Sequence, residues 1–352
     1  MPASRSAQLQ SLHSTPTPGL LGGSDYARLK RLISDAGLMR KQPRLSLAII
    51  TVNSLLFAGG FAVFALVRNP WFAALDAVAL ALISGQLGFQ LHDAGHHQLF
   101  RDRRKNKVVG FVTADLLLGM SYSWWVRKHN RHHANPNHVD LDPDITNPAI
   151  TYTKEQALRR RGPIRLLARY QAFLFFPLLG LLAWSMHVAG VAFLVGPDAR
   201  RRGLELVALL AHVVLYVSLL VCLLGPWTAL LVIVIHKSVG GFYLASVFAP
   251  NHKGMLQTDD ESGLDFLRAQ VLTSRNVRGG WLTDVLFGSL NYQIEHHLFP
   301  TMPRGRMRRA HPIVKEFCDR EGVAFHETSL LGSYAELLGF LHRVGAPLRS
   351  PA

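Results

Sequence analysis

Apolar residues gather into five long runs with polar connections between them: 47–67, 72–91, 171–195, 204–224 and 226–249. Each is near the ~20 residues with which a helix crosses a ~30 Å hydrocarbon core, so the pattern predicts an all-α polytopic membrane protein. Only "RNPW" separates the first two runs and only Gly225 the last two. Connections that short are tight turns, and they make two helical hairpins that each return the chain to its starting side. Run 171–195 is different, being interrupted by Pro177, Gly180, His187 and Gly190. If it crossed, Arg200, Arg201 and Arg202 would lie opposite the other basic loops. It is therefore expected to lie in the interface or to re-enter, which leaves four spans at 47–67, 72–91, 204–224 and 226–249. The last of these is also imperfect, since it contains His236 and Lys237.

This reading divides the chain into an N-terminal segment 1–46, a membrane domain 47–310 and a C-terminal tail 311–352. Residues 1–23 are rich in Ser, Pro and Gly and are expected to be disordered. The first long apolar run begins near Leu47, too late for a cleaved signal peptide, so both termini are expected in the cytoplasm. The polar parts 92–170 and 250–352 then face one compartment and can fold together as a helical cap.

A formal charge of +15 raises the question of nucleic acid. The positive residues answer it by flanking the apolar runs, as in Arg101, Arg103, Arg104, Lys105 and Lys107 after one run and Arg159, Arg160 and Arg161 before another. That is membrane topology, and no nucleic-acid partner is expected. The two cysteines, Cys222 and Cys318, form no CxxC pair, so a metal here must be held by His or by oxygen and amide side chains.

Three clusters stand out: His92-Asp-Ala-Gly-His96-His97, His129-Asn-Arg-His132-His133 and Gln293-Ile-Glu-His296-His297. Helical spacing lets His129, His132 and His133 point at one centre, likewise Gln293, His296 and His297, and puts His92 one turn from His96. A lone interfacial His is ordinarily solvated, but three such clusters are not explained that way. Eight gathered imidazoles repel if charged and are costly if dry and unpaired, whereas a metal takes up their neutral lone pairs. So many nitrogen donors exceed one tetrahedral zinc and suit two ions with open positions; oxygen-activating iron fits, and a hydrolytic dizinc centre stays open.

The boxes HDAGHH, HNRHH and QIEHH, in this order and with long apolar segments between the second and third, resemble those of the integral-membrane fatty acid desaturase family over residues 45–310. The initial Gln of the third box is similar to the front-end and linoleoyl-CoA-type branch, whose members often carry a cytochrome b5 domain marked by His-Pro-Gly-Gly. No such motif occurs in this sequence. The resemblance implies a non-haem pair of Fe ions held by His92, His96, His97, His129, His132, His133, His296 and His297, with His252 in "FAPNHKGM" as a further ligand. Gln293 replaces the histidine of other branches and is expected either to coordinate or to hydrogen-bond. Asp93, Glu295 and Asp144, with Asp140 and Asp142, can accept a ligand's second ring N–H or stand as solvated charges. His138 is similarly open, and His187, His212 and His236 are expected to be packed or hydrogen-bonded.

The resemblance further implies an O2-dependent oxidoreductase that introduces a C=C bond into a fatty acyl chain carried as a CoA thioester or in a lipid. Two electrons are then expected from a separate ferredoxin or flavin/iron–sulfur reductase, in a bacterial cytoplasmic membrane. No catalytic residue is expected beyond the metal ligands. Tyr122, Trp124 and Trp125 are expected at the substrate entrance or in an interfacial belt. Arg127, Lys128 and "RDRRKNK" are expected either to hold CoA phosphates or to be flanking charge. A membrane di-iron hydroxylase would share these boxes, a zinc hydrolase would not need O2, and a scaffold would consume none.

Overall fold

The computed structural model describes residues 24–67, 69–146, 149–200 and 202–349. The expected disordered stretch 1–23, Arg68 and Arg201 lie outside the described residues. The helices are α1 (Asp25–Asp35), α2 (Pro43–Leu66), α3 (Pro70–Gly95), α4 (Arg103–Phe111), α5 (Tyr122–Ala134), α6 (Lys154–Arg159), α7 (Gly162–Arg169), α8 (Gln171–Leu179) and α9 (Leu182–Val195). They continue as α10 (Arg202–Leu224), α11 (Pro226–His252), α12 (Phe266–Leu272), α13 (Trp281–Leu286), α14 (Gln293–Leu298), α15 (Arg304–Arg320) and α16 (Leu330–Gly345). A π-helical stretch, Val112–Leu118, follows α4, and short parallel strands β1 (Asn276–Arg278) and β2 (Glu327–Ser329) pair with each other.

Among the described residues, four helices are long and apolar enough to span: α2, α3, α10 and α11. Proline at the first helical position starts α2, α3 and α11, where its missing N–H costs nothing. The outer face of the bundle is apolar, as lipid requires: Leu55 and Leu210 are 67% and 65% exposed. Trp71 and Trp227 start α3 and α11, in the position of an aromatic anchor at the membrane face away from the histidines. Between the spans, Phe64, Leu80, Tyr216, Leu220 and Val232 make a buried core.

Helices α8 and α9 meet at 72°. With 9 and 14 residues, they are about 14 and 21 Å long at ~1.5 Å per residue, each short of the ~30 Å core. Connectivity decides the rest. Because α3 and α11 both end at the histidine cluster, α2 and α10 both begin on that face. The chain between α3 and α10 therefore starts and finishes on one side, and α8–α9 cannot cross once.

Three of the intramembrane polar side chains, His212, His236 and Lys237, have structural partners. The π-helical stretch ends at Gly119 (φ 72°), where a Cβ would come within 2.3 Å of His212, and leaves carbonyls in an apolar setting. His212 Nδ1 donates to Leu116 O (2.8 Å) and Lys237 Nζ to Leu118 O (3.2 Å). His236 bridges Ser84 (2.8 Å) and Tyr216 (2.7 Å), tying α3, α10 and α11 together. His187 has no hydrogen-bond partner among the described residues.

The segment expected to be a tail packs into the body. Phe317 and Cys318 join Leu29, Ile33, Leu298 and Met302 in the cap core, while Leu337 and Leu341 pack with Phe175, Leu179 and Ala245 of α8 and α11.

Candidate metal centre

Four elements deliver the histidines. His92 lies in the last turn of α3 and His96 caps it, and His252 ends α11. The second box rides on α5. The α5 N-terminus is anchored by two buried acidic side chains: Glu205 accepts from Ser121 Oγ (2.6 Å) and the Ser123 N–H (3.3 Å), and Asp115 accepts from the Tyr122 N–H (3.3 Å). These oxygens satisfy N–H groups that a helix N-terminus leaves unpaired, which helps hold α5 where its last turn meets α3. The third box forms α14, whose start is set by the Ile294 N–H donating to Asn276 Oδ1 (2.9 Å).

Eight histidines form two donor sets. His92, His96, His129, His133 and His296 each offer one ligand atom, all within 4.8 Å of one another. His132, His252 and His297 do the same in a second set. Nε2 separations are 3.1 Å for His92–His296, 3.1 Å for His129–His133, 3.0 Å for His133–His296 and 3.2 Å for His132–His252. The sets adjoin, with the His133 and His297 rings stacked at 4.2 Å.

The boxes are not the coordinating units that their spacing suggested. His129 and His133 serve one set and His132 the other, and the neighbours His296 and His297 part in the same way. On a helix, adjacent residues diverge by about 100°, so a box lying between two centres feeds both. His97 stands apart from the other expected ligands. The backbone is left-handed there (φ 55°), and its ring falls in neither set but faces the charges of Lys41, Arg103 and Lys107.

The donor chemistry fits a metal. His132 Nδ1 donates to Asp142 (3.0 Å), His252 Nδ1 to Thr273 O (3.0 Å) and His297 Nδ1 to Gln270 Oε1 (2.9 Å). A neutral imidazole has one N–H, so each of these rings turns an Nε2 lone pair toward the others. Nε2 of His96 and of His297 is buried without a partner among the described residues. Burial foremost, then the neighbouring rings, holds His96, His129, His133, His296 and His297 well below the ordinary imidazole range, so they are neutral. Converging neutral lone pairs need a cation between them, and the clusters are consistent with a metal site.

Gln293 hydrogen-bonds. Asn251 Nδ2 donates to Leu290 O (3.0 Å), which fixes that amide, and also to Gln293 Oε1 (3.0 Å). Gln293 Nε2 therefore faces His252 Nε2 at 2.9 Å. The carboxylates separate too. Asp142 and Asp144 lie at His132 Nδ1, Asp144 also paired with Lys128. Burial opposes ionisation of both, but His132 and Lys253, with Lys128 beside Asp144, outweigh it and hold them below the usual carboxylate range. Asp93 binds Arg304, and Glu295 faces away from the donor sets toward Asn276 and His311. His138 pairs with Asp260, Trp125 stacks on His129 at 4.6 Å, and Arg127 is paired with Asp198. Gln270 and Thr273 had no signal in the sequence: one is an ordinary helical Gln and the other contributes a backbone carbonyl.

His311 touches Glu295 (2.9 Å) and Glu327 (3.2 Å), linking the third box to β2. Burial disfavours its charged form, but these carboxylates outweigh burial and raise it above the ordinary 6.5. Its contribution to stability is complete below that value and is lost as pH climbs through the raised one. The melting-temperature advantage of the wild type over His311→Gln should therefore be full below pH 6.5 and shrink as pH climbs above it; an advantage that grows as pH rises would refute the assignment.

The fatty acid desaturase family model matches residues 69–329. The chain is 32% identical over 342 residues to an acyl-lipid (9-3)-desaturase of Physcomitrium patens, covering 94% of this chain and 64% of that protein. It is 31% identical to a Delta(8)-fatty-acid desaturase of Euglena gracilis (86% and 74% covered) and 30% identical to a Delta(5) fatty acid desaturase of Caenorhabditis elegans (85% and 69% covered). The chain thus spans roughly two thirds to three quarters of the length of these relatives.

Proposed function

From the premise that this chain belongs to the fatty acid desaturase family, we propose that it is a membrane oxidoreductase that introduces a C=C bond into a fatty acyl chain. The observation that carries this reading is the meeting of five and three imidazole donors at one end of the two central spans. His92, His96, His129, His133 and His296 would hold one iron, and His132, His252 and His297 the other. A pair of irons bound there supplies the reductive activation of O2 that hydrogen removal from unactivated methylenes requires. Overall, O2, two electrons and two protons are consumed, and the alkene and two waters are formed.

The residues do the positioning. Asp142, Thr273 and Gln270 hold the outer ring nitrogens, which orients the rings and keeps their inner nitrogens free of protons. Gln293, held through Oε1 by Asn251, presents its N–H at His252 Nε2; an ion on that lone pair would displace the contact and leave Gln293 an amide donor beside the second set rather than a fourth protein ligand. Because an acyl chain has no polar handle at its reacting carbons, register comes from the apolar surroundings and from the head group. Acyl-lipid and acyl-CoA substrates both suit the apolar flank of the bundle; the names of the relatives favour a lipid-linked or fatty acyl substrate. The basic loops Arg101–Lys107 and Arg159–Arg161 both fall in the chain between α3 and α10, on the donor side of the spans, which supports a cytoplasmic orientation and docking of an acidic ferredoxin or flavin/iron–sulfur reductase.

The test is expression with such a reductase in a host of known lipid composition, read by mass spectrometry of its fatty acids and by metal analysis of the purified protein. A new double bond that requires O2, together with about two irons per chain, is expected. A hydroxylated product would instead identify a hydroxylase, and zinc with turnover independent of O2 would overturn the redox reading.

A further inference from the structure

Arg304, at the start of α15, pairs through Nε with Asp93, a carboxylate only 3% exposed on the last turn of α3. The other oxygen, Asp93 Oδ1, lies 3.6 Å from His92 Nδ1, the outer nitrogen of the first ligand of box one. His92 Nδ1 is buried with no hydrogen-bond partner among the described residues, while His92 Nε2 faces His296 at 3.1 Å. The same two chain regions are joined nearby by Gln98 Nε2 donating to Pro300 O (2.8 Å), and Lys41, on the connection before α2, donates its Nζ to Thr301 O (2.6 Å). The end of box one is thus held to the chain just past box three, and Arg304 supplies the charged member of that junction.

We propose that Arg304 is a positioning residue of the metal centre: it fixes Asp93, and Asp93 in turn orients the His92 ring with Nε2 toward the five-histidine set. A bare buried carboxylate would be free to rotate, whereas an arginine salt bridge holds it in one orientation. At 3.6 Å the carboxylate makes no hydrogen bond to His92 Nδ1, but its charge held beside that nitrogen favours the tautomer with the proton there and leaves Nε2 as the donor atom. This rests on the metal reading above and adds to it a residue that lies in neither donor set.

Metal retention tests it without any need for turnover. Full-length wild type, Arg304→Gln, Arg304→Lys, Asp93→Asn and the double variant Asp93→Asn/Arg304→Gln are purified in detergent and loaded with Fe(II). Loss of iron to a chelator is then timed, with melting temperatures recorded alongside. Arg304→Gln is expected to lose iron about 10-fold faster or more, in the range found for partners of metal-bound His, with partial recovery in Arg304→Lys. The double variant should be no worse than Asp93→Asn, since Arg304 acts through that carboxylate. Arg309→Gln, an exposed neighbour on the same helix, should match wild type. Unchanged retention in Arg304→Gln, or full additivity in the double variant, overturns the proposal. Failure of the wild type to bind iron overturns the metal reading with it.

Discussion

His296→Ala is expected to abolish product formation while the protein still accumulates in the membrane. His296 is fully buried, and its Nε2 lies 3.1 Å from that of His92 and 3.0 Å from that of His133. It meets both the first and the second box within the five-residue set, so its loss removes a donor and opens the centre of that set. Loss of a hydrogen-bonding partner of a metal-bound His already costs about 10–100-fold in affinity or activity; removal of a donor itself should cost more than about 100-fold. The spans are packed through Phe64, Leu80, Tyr216 and Val232, away from this ring, which is why insertion should survive. Iron content and fatty acid products, measured on equal amounts of membrane protein, decide the matter. Normal turnover in this variant would remove His296 from the ligand set.

The second large effect falls on Arg275, which is 1% exposed and touches no donor. Pro250 lies inside α11, and the helix end it disturbs carries Asn251 and His252. Proline has no N–H to give to the carbonyl four residues back. That carbonyl, of Ser246, accepts instead from the Tyr334 hydroxyl at 2.7 Å. At the helix end, Arg275 donates to Pro250 O (2.6 Å) and Lys253 O (3.4 Å) and pairs with Glu336 (2.9 Å). Arg275→Met should leave buried carbonyls unpaired, at about 1–3 kcal/mol each, for a total near 3 kcal/mol. Glu336→Gln should cost much less, since Glu336 is 38% exposed and Arg275 keeps its carbonyls. The measurable pair is melting temperature and iron retention, with both falling in Arg275→Met. Equal melting temperatures for Arg275→Met and wild type would show that the end of α11 is held by something else.

Most of the architecture was legible in the pattern of apolar runs, because lipid demands uninterrupted helices of a set length. Observed helix ends differ from the expected ones by no more than four residues, since charged and prolyl ends are accommodated at the interface. The broken run 171–195 was legible for a reason of the same kind: Pro177 and Gly180 lie where α8 and α9 bend apart. The segment 311–352 was less so. Its amphipathic helices have ordinary composition, and only packing shows that Leu337 and Leu341 complete a core with α8 and that Tyr334 satisfies a carbonyl of α11.

At the donor cluster, the sequence alone pointed to a metal: histidine in repeated, closely spaced groups at the ends of apolar helices is a pattern with few uses besides binding one. It could not assign each ring to a centre. A helix that passes between two sites turns adjacent side chains about 100° apart, so membership depends on where α5 and α14 lie relative to α3 and α11. Tertiary structure therefore decided that His132 leaves its box-mates, that His297 parts from His296, that His97 turns away on a left-handed backbone, and that Gln293 offers hydrogen rather than oxygen. These outcomes depend on residues distant in the chain, such as Asn251, Gln270 and Thr273, whose roles arise only when separate segments are brought within hydrogen-bonding distance.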